Sequence, residues 1–299
     1  MTRPRRYLPN ETHFATARMA RQEFWLRPSA TVNQIVGYCY GYAQEEYGML
    51  IHQLTVMSNH VHITVTDPTG DRLSTFFSCA HSMIARCVNA HYGLKENRWK
   101  VAGFSPVVLG DEDAVLDKMV YSMVNPVTAG LVSKAENWPG WDTTEADFDK
   151  PKTCLRPGVF FRDDMPETVK LTLTAPPIFE ANTAEFVRRV RKRRRYLQTE
   201  KRREFKAAGR TFLGAKAVSK TNPRTRPKSA FAPVERSKLN PRIACKNEER
   251  RKAMIAELRG FYDAYESARR RLLEGERDVE FPAGTVWLRL HANVVCQPP

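Results

Sequence analysis

Two runs of strand-forming residues meet at Ser58-Asn59, and the second alternates strictly. In Met57-Ser58-Asn59-His60-Val61-His62-Ile63-Thr64-Val65 the side chains of His60, His62 and Thr64 share one face, while Val61, Ile63 and Val65 share the other. The preceding run, 49–56, is also rich in strand formers, and Ser58-Asn59 supplies turn chemistry, so the stretch reads as a β-hairpin. Its apolar face calls for a covering layer. Its polar face carries two imidazoles two residues apart, which are either a hydrogen-bonded structural pair or two adjacent ligands of one metal ion. Two positions are too few to hold an ion, so other residues must decide.

The flanking sequence supplies the layer. Residues 13–19 read as a strand, and Thr31 reads as the cap of a helix over 32–40. After the turn Asp67-Pro68-Thr69-Gly70, the residues Leu73, Phe76, Phe77, Ala80, Met83, Ile84 and Cys87 recur at helical steps. Another helix starts near Asp113 with the apolar stripe Leu116, Met119, Val120 and Met123, and Pro126 predicts its end or a bend after Asn125. With one further strand, this is an α+β chain of the ferredoxin-like sandwich type: an antiparallel sheet with two helices on one face, the other face free for ligand, plus a basic, partly disordered C-terminal extension. The divisions are a catalytic unit over 8–147, a Pro-rich connector over 148–180 with strand-like runs at 158–161 and 169–173, a basic segment over 181–246, and a terminal unit over 247–299. Within the basic segment, 221–228 is expected to be extended or disordered. The terminal unit should hold a helix over 247–275 and a short strand ending near Leu290.

Charge is segregated along the chain. The net charge is +15, yet residues 1–180 hold 18 Lys+Arg against 20 Asp+Glu, whereas 181–252 hold 24 against 6. With so few acids close by, the run Arg188-Arg189-Val190-Arg191-Lys192-Arg193-Arg194-Arg195 is expected to find few intramolecular partners and to contact nucleic acid. No apolar run is long enough to span a membrane, and the start has no hydrophobic leader segment, so the expected location is the cytoplasm, in association with the nucleoid. The scattered cysteines Cys39, Cys79, Cys87, Cys154, Cys245 and Cys296 form no Cys-x-x-Cys pair and read as reduced thiols.

Tyr121 and Asn125 stand four apart on the helix that starts near Asp113, one turn above each other and set off from its apolar stripe. Brought against the His-x-His strand, they offer a nucleophile and a third metal ligand. In Met57-Ser58-Asn59-His60-Val61-His62, and in Tyr121 followed by Asn125-Pro126-Val127-Thr128-Ala129-Gly130-Leu131-Val132, the chain resembles the single-tyrosine transposases of the HUH class, which are insertion-sequence-200-like, and within them the REP-associated kind. The resemblance covers about residues 8–145. It implies that His60, His62 and Asn125 bind Mg²⁺ or Mn²⁺ and that Tyr121 attacks a phosphodiester of single-stranded DNA to give a 5′-phosphotyrosine and a free 3′-hydroxyl. The implied partner is DNA with hairpin-forming repeats, and the implied assembly is a monomer or homodimer.

Three other readings compete. A non-catalytic nucleic-acid-binding protein would use the basic segment alone. A replication initiator or relaxase would share the strand motif but add helicase regions, and no Gly-x-x-x-x-Gly-Lys-Ser/Thr loop occurs. A zinc hydrolase would need a carboxylate ligand beside the histidines, and none lies close in sequence.

Overall fold

In the computed structural model, which describes residues 4–159, 161, 163–228 and 241–298, strand β1 (Thr12–Met19) leads into helix α1 (Ala30–Tyr47). The hairpin β2 (Leu50–Met57) and β3 (His60–Thr66) follows, then helix α2 (Leu73–Tyr92) and strand β4 (Trp99–Leu109). The strands lie in the order β2-β3-β1-β4, each pair antiparallel, which is the ferredoxin-like arrangement expected from the sequence. Helices α1 and α2 pack on one another and on the apolar sheet face. Ile35, Val36, Phe76 and Ile84 are buried there with Ala15, Val61, Ile63 and Val65. The cap of α1 is Ser29 rather than Thr31: Ser29 has extended backbone and its Oγ accepts from Val32 N at 3.1 Å, starting the helix a little earlier.

Helix α3 (Glu112–Thr128) covers part of the opposite, polar sheet face, over β2 and β3. Asp111 caps it, its Oδ1 accepting from Ala114 N at 2.7 Å, and Glu112 and Asp113 occupy the first turn, where the helix dipole favours acids. The helix runs on through Pro126 instead of stopping at Asn125. Pro126 falls in the last turn and removes one backbone donor there, and Ala129 N closes the end on Asn125 O at 2.9 Å.

The connector forms a hairpin, β5 (Lys152–Leu155) with β6 (Thr168–Leu171), laid against α1. The expected strand at 158–161 is absent among the described residues, and its Phe160 lies outside them. Next, α4 (Thr183–Ala207) lies alongside α3, and the short α5 (Ala215–Lys220) follows. Residues 221–228 are neither a strand nor loose chain, because they fold back onto the N-terminal unit. Phe24 N donates to Thr225 O at 3.1 Å and Arg27 Nη1 to Thr221 O at 3.0 Å. Residues 229–240, on which part of the expected disorder falls, lie outside the described ones.

Beyond them, β7 (Ile243–Ala244) joins the main sheet parallel to β4, and α6 (Glu248–Leu273) follows. The run ending near Leu290 is not a strand but helix α7 (Val286–Ala292), set between β8 (Glu280–Phe281) and β9 (Val295–Cys296). Those two strands pair in parallel, and a parallel pair needs a crossover, which α7 provides. One core cluster runs from Tyr7 through Phe148, Phe186, Val190 and Val218 to Val286, so the connector and α4 are built into it. All six cysteines are free. Among the described residues no helix is long and apolar enough to cross a membrane.

Candidate active site and nucleic-acid surface

The β1–β3 register places Thr16 opposite His62 and Arg18 opposite His60, so these four side chains share the polar sheet face. Above them, α3 contributes Tyr121 and Asn125. Tyr121 presents its ring edge-on to His62, with centroids 5.6 Å apart, and Asn125 Nδ2 lies 3.4 Å from His62 Nε2. The two imidazoles are themselves edge to face at 4.6 Å. Phe14 stacks on His62 at 5.3 Å, forming an apolar floor. The four residues singled out from the sequence thus meet in one place, and Tyr121 is 44% exposed, open to a substrate.

Hydrogen bonds fix which ring nitrogens are available. Asn59 Nδ2 donates to Gln22 O at 3.1 Å, which turns Asn59 Oδ1 toward His60 Nδ1, 2.7 Å away. His60 therefore carries its proton on Nδ1 and a lone pair on Nε2. Asn125 Nδ2 donates to His62 Nε2, so the His62 proton sits on Nδ1 and is donated to Thr16 Oγ1 at 2.9 Å. Both rings are held neutral. Burial first, and the Arg18 guanidinium second, bring His60 down to about 4. His62 is pushed well below the ordinary imidazole value by burial, then by His60, Arg18 and Lys118. Neutral imidazoles with oriented Nε2 lone pairs are the form that binds a metal. Two imidazoles and one amide fit a divalent cation that keeps open positions, provided the Asn125 amide turns its oxygen to the ion in place of the Nδ2 that meets His62 Nε2; imidazole suits zinc, nickel or copper and magnesium prefers oxygen, so these residues alone do not select the metal. Among the described residues no cluster of three or more His, Cys, Asp and Glu exists.

Three residues that the motifs did not mark belong to this site. Thr16 orients His62, while Arg18 and Lys118 bring positive charge to its rim; among the described residues neither has an acidic partner. Lys118 sits 5.6 Å over the Phe14 ring, one turn before Tyr121. Helical spacing alone marks Lys118, and strand alternation marks Thr16 and Arg18 as a polar pair, but only the register joins them to the histidines.

Under α3 a buried polar chain holds the helix to the sheet. The Gln53 amide meets Ser122 Oγ at 2.9 Å, and Thr55 Oγ1 donates to Asp142 Oδ1 at 2.5 Å. Burial pushes the Asp142 carboxyl up to about 8, against the lowering effect of Thr55.

The basic run divides in two. Arg189 pairs with Glu112 and with Asp113 at 3.3 Å, Arg193 with Asp113 at 2.5 Å and Asp117 at 2.6 Å, and Arg194 with Glu136 and with Glu145 at 2.9 Å. Arg194 is only 7% exposed. The expected scarcity of partners therefore fails for these three: their acids come from 112–145, outside the basic segment. Arg191 also reaches Glu145, at 3.4 Å, but stays half exposed. Arg188, Lys192 and Arg195 face solvent. Arg188 pairs only with Glu185 in its own helix, and Lys192 and Arg195 have no acidic partner among the described residues. With Arg202 and Lys206 they make an exposed stripe along α4, about 27 Å long at 1.5 Å per residue.

No family model matches this chain, and no curated protein does. Among solved structures it is similar to a REP-associated tyrosine transposase bound to a REP hairpin, at 22% identity over 58% of this chain and all of that one, with a TM-score of 0.42.

Proposed function

We propose that the chain is a metal-assisted strand transferase acting on single-stranded DNA at hairpin-forming repeats, a single-tyrosine transposase of the HUH kind. One observation carries the reading: an exposed phenol, two neutral imidazoles and an amide converge on one sheet face, with Tyr121 5.6 Å from the His62 ring. In the reaction Tyr121 Oη bonds to phosphorus while the bond from phosphorus to the 3′ oxygen breaks. The phenol gives up a proton and the departing 3′ oxygen takes one, leaving a 5′-phosphotyrosine and a 3′-hydroxyl. Because no water is consumed, the reverse attack can rejoin strands.

His60, His62 and Asn125 would hold Mn²⁺ or Mg²⁺, which when bound neutralises charge on a non-bridging phosphate oxygen. Arg18 and Lys118 hold the flanking phosphate charge, and Phe14 keeps the floor of the site dry. The stripe Arg188, Lys192 and Arg195, continued by Arg202 and Lys206, tracks the strand backbone, with Arg191 at its edge. Arg189, Arg193 and Arg194 serve instead to dock α4 on α3. Since one chain supplies both the tyrosine and the histidines, a monomer suffices for cleavage.

The test is a labelled single strand bearing a hairpin, incubated with Mn²⁺. A denaturant-resistant adduct should form and disappear in Tyr121→Phe; an adduct that survives in that variant overturns the assignment. A purely binding role predicts no adduct in either.

A further inference from the structure

Helices α3 and α4 run in parallel with a nearly constant register. Glu112 meets Arg189, Asp117 meets Arg193, and Gly130 lies under Phe205, where an added Cβ would stand 2.7 Å from the ring. The offset along the chain drifts by no more than two residues across these three contacts, Arg193 reaching back one more turn to Asp113, so the part of α4 level with Tyr121 is Tyr196-Leu197-Gln198. Leu197 packs into the core, and Gln198 Oε1 accepts from Ala135 N at 2.8 Å on the far flank. Tyr196 is left on the flank that also carries Arg189 and Arg193, facing along α3. It is 68% exposed, the one large hydrophobic side chain of α4 that is, among neighbours that are almost all charged.

We infer that Tyr196 is a substrate-contacting residue: an aromatic platform on which a nucleobase of the strand held at Tyr121 stacks. The inference rests on the single-stranded DNA reading above and adds the contact that would select unpaired strands. A base in a duplex has no free face to offer, whereas a splayed base does, and an aromatic ring set among cations is the usual way a protein grips bases without reading them. Lys192, one turn before Tyr196, and Arg195 beside it in the chain are exposed and have no acidic partner among the described residues, so the adjoining phosphates are met by charge. Leaving a tyrosine so exposed gains nothing for the helix itself, whose core contacts are made by Phe186, Val190 and Phe205.

The experiment uses the full chain carrying Tyr121→Phe, so that only non-covalent binding is read, and oligothymidine strands with one 2-aminopurine as the probe. The parent should bind and quench the probe by stacking. Adding Tyr196→Ala should abolish the quench and weaken binding about 10-fold or more, with the salt slope unchanged because no charge is lost. Tyr196→Phe should restore both, and binding to a duplex should be indifferent to either change. Parent-like binding and quenching in Tyr196→Ala overturns the platform; so does a loss that comes with a lower melting temperature and equal weakening on duplex, which would mark a damaged helix. Adduct formation at Tyr121, measured in parallel on the otherwise unaltered chain, reports the strand-transfer reading separately. A failed platform with a normal adduct sinks only this inference, and a parent that binds no single strand sinks both.

Discussion

Thr16 Oγ1 lies 2.9 Å from His62 Nδ1 across the β1–β3 pair, and this contact sets which nitrogen of His62 faces helix α3. A hydroxyl on one strand thus controls the chemistry of an imidazole on the next.

Replacing Thr16 by valine keeps the shape and removes the acceptor. Adduct formation should fall roughly 10- to 100-fold, the range typical for loss of a partner that orients a ligand. Thermal denaturation should stay close to the parent's, since Thr16 is only partly buried. An unchanged adduct yield would mean that Asn125 alone orients the ring.

Arg194 and Arg188 are alike in chemistry and opposite in role. Arg194→Ala leaves the buried Glu145 with only the half-exposed Arg191, takes the partner from Glu136, and should cost about 3–5 kcal/mol in urea denaturation. Arg188→Ala removes an exposed pair within one helix and should leave the urea midpoint close to the parent's. Equal losses would show that burial does not distinguish the two.

Salt dependence should separate the same residues again. Converting Arg188, Lys192 and Arg195 together to glutamine should lower the slope of log affinity against log salt by about 2, at roughly 0.7 per phosphate contact on a single strand. Folding stability should be retained. A slope that does not move would assign strand binding to another surface.

Stability should peak near neutrality. Burial lowers His13 and His52 to about 4 and His81 to about 3, so each imidazole is neutral in the fold and protonates more readily in the unfolded chain. Their contribution is complete above about 6.5 and is lost as pH falls through those folded values. Asp142 acts with the opposite sign: its carboxyl is raised to about 8, so the stability it gives as a neutral group declines from the ordinary carboxylate range upward and is gone above 8. Three imidazoles outweigh one carboxyl on the acid side. Urea midpoints across pH should therefore be highest near pH 6–7, and Asp142→Asn should flatten the alkaline limb and steepen the acid one.

The sequence discloses the parts of this site that obey a short period. His60 and His62 share a face by strand alternation, and Tyr121 and Asn125 share one by helical spacing, so these four candidates are legible from spacing and residue type. What depends on register is not. Thr16 and Arg18 belong with the histidines only because β1 pairs antiparallel to β3 at that alignment. The arginine partners are hidden for a related reason: Glu112, Asp113, Asp117, Glu136 and Glu145 lie far upstream, and only the docking of α4 on α3 brings them to Arg189, Arg193 and Arg194. A count of charge along the chain treats those cations as free. Val286–Ala292 misleads in another way, since its apolar residues suit a strand as well as a helix and the parallel pairing of β8 with β9 decides between them.

The pairing of β7 with β4 makes the order of synthesis matter. When β4 leaves the ribosome its outer side has backbone donors and acceptors with nothing to meet, and it stays so until α3, α4 and α5 have been added. Lys100, Gly103 with its positive φ, and Pro106 interrupt that margin and make it a poor template for other chains. A copy cut short before Ile243 would keep this margin for good. Such a fragment should retain its histidines and tyrosine but bare Val108 and Leu109, beyond Pro106, to other chains, so the last fifth of the chain covers the end of the margin that those three residues leave open.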